Sequence, residues 1–156
     1  MERPSADAFL EAFDGRFYVP VSQPIAGWVP FGWRADDGEP ESLGLALTLG
    51  PKKRRCVVRT GVRPDSARTI VHDLLFRATM QDFRFPLTVE RERTRIVVEG
   101  RERVFTAYTY RGDTVATASV RGLSVTVQIR ASLLPGLELG LIDPQQLREM
   151  LHAPPA

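Results

Sequence analysis

Cysteine occurs once in the 156 residues, at Cys56; histidine occurs twice, at His72 and His152; lysine occurs twice, at Lys52 and Lys53. A single thiol excludes an internal disulfide, and two distant histidines with one cysteine offer no metal-ligand spacing, so no metal site is expected. No apolar run approaches the roughly 18 residues that a membrane-spanning helix needs. Met1-Glu2-Arg3-Pro4 does not open a cationic and apolar leader. Together these absences lead to the expectation of a cytoplasmic chain without a membrane span. A Gly-rich phosphate loop, GxSxG and HExxH are missing too, so a conventional enzyme is not expected, nor any cofactor.

What is present is ordinary in bulk and uneven in detail. The chain is 43% hydrophobic and 26% charged, which fits a soluble globular domain and excludes long disorder. The length suits one α+β domain over residues 1–152, with 153–156 as a frayed tail. The net charge of +2 hides a division: residues 1–42 carry three arginines against eight acids, and residues 43–156 carry 18 basic side chains against 11 acids. Such a chain folds its ends together or shows a basic face to an anionic partner. Arginine outnumbers lysine 19 to 2, a bias that points first to a GC-rich genome.

Helical spacing of Ala6, Phe9, Leu10 and Phe13, with Ser5 as N-cap and Gly15 at the end, predicts a short first helix. Arg16 to Trp33 reads as two short edge strands, because Pro20, Pro24 and Pro30 cannot donate to a central ladder. Residues 36–41 read as an acidic loop. Leu43, Leu45, Leu47 and Leu49 alternate with Gly44, Ala46 and Thr48, giving a half-buried strand with a small-residue second face. After the turn at 50–53, Arg54 to Thr60 returns as its partner. Pro64 and Asp65 open a second helix with the stripe Ala67, Ile70, Val71, Leu74, Leu75 and Ala78.

From Pro86 the apolar period is two. Strands are expected at Leu87–Glu92, Arg95–Glu99, Arg103–Tyr110, Thr114–Val120 and Leu123–Arg130, joined by glycine turns into a meander. Asp143 and Pro144 start a last helix with Leu147, Met150 and Leu151 on its apolar side. The expected architecture is a twisted antiparallel β-meander sheet with helices on one face, with a hint of two similar meander-and-helix halves.

Two places can carry binding. Trp28, Phe31 and Trp33, joined by Tyr108, are candidates for an aromatic cup whose wall is the small-residue face of 43–49; tryptophan is common in pockets and equally common in cores. Lys52, Lys53, Arg54, Arg55 and Arg59 form a candidate anion patch, since no acid interrupts residues 42–64. No aromatic interleaves the basic run, which argues against single-stranded nucleic acid. Cys56 lies in the same strand and reads as a packed core thiol.

The stretch Val98 to Leu147, with Val98-Glu99-Gly100-Arg101, Phe105, Arg111-Gly112-Asp113, Ala116, Val120, Gly122, Val125, Leu137 and Asp143, resembles small uncharacterised α+β proteins of GC-rich actinobacterial genomes. The resemblance covers about a third of the chain and rests on turn glycines and core apolars. It implies an α+β fold and a bacterial cytoplasmic setting, and no activity. The leading expectation is therefore a non-catalytic protein-interaction module, an adaptor, chaperone-like or assembly protein. A small-molecule cup is the alternative, followed by a weak anion or nucleic-acid binder through residues 52–55. A protein partner is expected, specific nucleic-acid binding is not, and self-association stays open.

Overall fold

A computed structural model of the chain describes residues 4–36, 39–64, 66–72, 74 and 89–152, the side chains of 32–36 excepted. The expectations for Asp65, Leu75, Ala78, Leu87 and the tail 153–156 lie outside the described residues.

Among the described residues, the apolar alternation read from sequence becomes nine strands in one sheet. They are β1 (Tyr18–Pro20), β2 (Ile25–Asp36), β3 (Glu39–Leu49), β4 (Arg54–Gly61), β5 (Glu90–Val98), β6 (Arg101–Tyr110), β7 (Asp113–Val120), β8 (Leu123–Arg130) and β9 (Glu138–Leu141). Their order is β1-β9-β5-β6-β7-β8-β4-β3-β2. Every pairing is antiparallel except β5 with β9. Of the three strands that carry proline, β1 and β2 take the two edges, where a missing N–H costs no ladder bond, and β3 holds Pro40 next to its first residue.

The sheet curls into a half-barrel. β1 touches β4 although six strand positions separate them, so the face they share is concave. Leu43, Leu45, Leu47 and Leu49 of β3 line that face with Cys56 and Val58 of β4, Phe105 of β6 and Val125 and Val127 of β8. Helix α1 (Ala6–Ala12) and the final helix α3 (Pro144–His152) lie against each other and close the concavity. Phe9, Phe13 and Phe17 stack through it, with ring centroids 5.9 and 6.2 Å apart. α1 begins where Ser5 Oγ accepts the Ala8 N–H at 3.2 Å. It ends in a Schellman arrangement, in which the Gly15 N–H reaches Leu10 O and the Asp14 N–H reaches Glu11 O.

Four expectations need correction. Helices do not share one face. In α2, described over 67–72 and at 74, Ile70 and Leu74 pack with Tyr108 and Val115, which point opposite to Phe105, Ala107 and Ala116. α2 therefore covers the convex side. At its start Ser66 Oγ accepts the Thr69 N–H, and Ala67 is exposed.

The acidic stretch 36–41 is mostly strand, because β2 runs to Asp36 and β3 starts at Glu39. The segments 87–92 and 95–99 are not two strands: β5 runs unbroken from Glu90 to Val98. Of the residues of β5, only Val97 and Val98 pair with β9. On that side residues 90–96 have no strand partner among the described residues, and the run Glu90-Arg91-Glu92-Arg93 places charge there.

The two halves also differ. The first meander, β2–β4, has three strands and its helix on the convex face; the second, β5–β8, has four and is followed by β9 and the concave-face α3. The turns of the second meander follow the sequence reading closely. Glu99-Gly100, Arg111-Gly112 and Arg121-Gly122 each hold two consecutive positive φ angles, the geometry of two-residue type I′ hairpins.

Candidate binding face on the convex side of β2–β4

Register decides which side chains meet. Val29, Ala46, Val57, Gln128, Val115 and Tyr108 form one cross-strand row on the convex face. Phe31, Gly44, Arg59 and Thr126 form the next row. Gly27, Thr48 and Arg55 form a third at the end nearest the 50–53 turn.

The small residues of β3 make room in this face. Phe31 lies over Gly44 so closely that a Cβ there would stand 2.9 Å from its Cζ and 3.0 Å from its carbonyl oxygen. Beside that ring a recess of about 520 Å³ is lined by Gly27, Trp28, Val29, Phe31, Ala46, Leu47, Thr48 and Arg55. Val29 is 43% exposed and Phe31 37%, an unusual pair of neighbouring apolar side chains on one edge strand.

A second recess, of about 450 Å³, lies around the 50–53 turn. Lys52, Lys53, Arg54, Arg55 and Arg130 line it with Asp113, Gln128, Ile129 and Leu133. None of these five cations makes an ion pair among the described residues, although Asp113 lines the same hollow. Arg55 belongs to both recesses and joins the apolar one to the cationic one.

The candidate residues are thus partly brought together. Lys52 to Arg55 share the cationic recess. Arg59 faces a smaller hollow with Phe31, Val57, Val115, Thr126 and Gln128. The aromatic four do not form one cup. Trp28 pairs with Leu47 on the concave side and packs on the main core, where its Nε1–H is buried with no partner. Phe31 faces the opposite way. Tyr108 lies five strands from β2, about 24 Å at a strand spacing near 4.8 Å, under α2. Trp33 falls in β2, its side chain among those not described.

Sequence reasoning missed Val29, Arg130, Asp113 and Leu133. The alternation of β8 did assign Arg130 to its polar face, but only the pairing of β4 with β8 carries it to Arg55.

Burial pushes the Cys56 thiol up to about 12, so it carries no thiolate near neutral pH. His72 and His152 are exposed on separate helices. Among the described residues no three His, Cys, Asp or Glu side chains gather to hold a metal ion. No helix there is long and apolar enough to cross a membrane. Compared with models of protein families, with curated proteins and with solved structures, the chain matches none.

Proposed function

We propose that the protein is a non-catalytic interaction module that docks an acidic protein segment bearing an apolar side chain onto the convex face of β2–β4. The observation that carries this reading is Arg55, which lines both the cationic recess and the apolar one. A partner with carboxylates at one end and a leucine-sized side chain beside them matches that pairing of charge and apolar surface. Uncompensated cations supply attraction and orientation, while burial of Val29 and Phe31 supplies affinity that salt does not screen. Single-stranded nucleic acid fits less well, since stacking needs several exposed aromatic faces and, of the two aromatics lining this recess, Trp28 packs on the core and Phe31 is exposed.

The test uses a labelled short peptide of Asp and Glu around a central leucine, a leucine-to-serine control and single-stranded DNA of equal charge. Binding is measured at about 50 and 200 mM salt, a range over which phosphate contacts fade. The acidic leucine peptide is expected to stay bound at the higher salt. It should weaken with Phe31→Ser, and also when Lys52, Lys53, Arg54 and Arg55 become glutamine. DNA held more tightly than the peptide at 200 mM, or indifference to Phe31→Ser, would contradict the proposal.

A further inference from the structure

A second cluster of charge sits far along the sheet, where the β5–β6 and β7–β8 turns meet β1. Glu99 and Arg121 are the first residues of their type I′ turns, with φ of 51° and 48°. That geometry brings Arg121 Nη2 to 2.6 Å from Glu99 Oε2. The Tyr18 hydroxyl donates to the same carboxylate oxygen at 3.2 Å. The backbone of this corner is tied as well, because Arg16 donates to the carbonyls of Val120 and Arg121 at 3.3 and 2.9 Å. Arg121 is therefore fixed at both ends before any ligand arrives.

Next to it is a recess of about 260 Å³ lined by Val98, Glu99, Arg101, Arg103 and Arg121. Three guanidiniums face one carboxylate, and that carboxylate is already engaged by Arg121 and Tyr18. Arg101 and Arg103 have no ion-pair partner among the described residues. Arg103 Nε is buried and without a hydrogen-bond partner. A buried charged donor left unmatched is costly and is rare in folded proteins.

We infer that this recess is an oxyanion site whose ligand is a phosphate group, free or as a small phosphomonoester. The excess of cations over Glu99 suits a dianion. The planar forks of Arg101 and Arg103 suit two oxygens of one tetrahedral group. Tyr18, Glu99 and Arg16 act as positioning residues that hold Arg121 at the rim. The inference is independent of the convex face, which lies at other strands.

Binding of inorganic phosphate and of methyl phosphate is followed by amide chemical shifts at constant ionic strength, with chloride as the reference. Three proteins are compared with the wild type: Arg103→Gln, Arg101→Gln, and the variant with glutamine at 52–55. Phosphate is expected to shift the amides of residues 98–103 and 120–122. Both single variants should weaken it by about tenfold, the loss of one charge-assisted hydrogen bond. The glutamine hairpin should leave it unchanged. Tighter methyl phosphate would assign the site to monoesters, and equal affinity to the free ion; either supports the inference. Should Arg103→Gln fail to fold, the exposed Arg101→Gln decides alone. Unaltered phosphate affinity in the single variants, loss of it in the hairpin variant, or no shift at 98–103 would overturn the proposal.

Discussion

Cys56 and Arg55 are neighbours in sequence with opposite fates, because successive residues of a strand face opposite sides. Arg55 reaches solvent between two recesses, and Cys56 is fully enclosed beneath the leucines of β3. Basic neighbours can lower a thiol pKa, but burial raises this one to about 12. Native Cys56 is therefore expected to resist a thiol-specific reagent at pH 8 and to react once the chain is unfolded. The same shift has a sign for stability. The folded state disfavours the thiolate, so stability is intact below the ordinary thiol value of 9.0 and falls as pH rises from there toward 12. Rapid labelling of the native protein at pH 8 would show that β4 is not packed as described. The burial of Cys56 was legible from its alternation with Val58. The splitting of Trp28 from Phe31 was legible as well, since they stand three apart in a strand, yet proximity in sequence invited one aromatic cup.

Elements differ in how deeply they are anchored. β3 contributes Leu43, Leu45, Leu47 and Leu49 to the main core, whereas α2 rests on a separate cluster of Ile70, Leu74, Tyr108 and Val115. Leu45→Ala is expected to cost toward the upper part of the range of about 2–5 kcal/mol for buried leucines, and Leu74→Ala toward its lower part. Denaturant midpoints at unchanged slope measure both. A larger loss at Leu74 would mean that α2 carries more of the fold than its small cluster indicates. The strands and turns of the second meander could be read because period two and paired positive-φ turns are local signals. The side of the sheet that α2 covers could not. β6 carries apolar residues on both faces, Phe105 and Ala107 inward and Tyr108 outward, so its pattern names no unique partner. The parallel insertion of β9 between β1 and β5 is a long-range choice that four residues do not announce.

At the scale of the molecule, curling of one sheet separates tasks. The concave side is filled by α1, α3 and the leucine rows; on the convex side, α2 packs on β6–β7, and Val29 and Phe31 of β2 are part exposed. The acidic and basic ends of the sequence meet in places, as where Asp7 of α1 accepts from Arg148 of α3 at 2.9 Å and Arg63 reaches Glu41 at 3.2 Å. Such exposed pairs contribute little to stability. Among the described residues the cations at 52–55 stay outside such pairs. The most direct check is a map of amide shifts on adding the acidic leucine peptide at about 200 mM salt, where weak phosphate-type attraction has faded. Shifts confined to residues 27–31, 44–48, 52–57 and 128–130, and lost with Phe31→Ser, are the predicted result. Shifts centred instead on α2, β5 or the concave helices, with β2–β4 unmoved, would contradict the account.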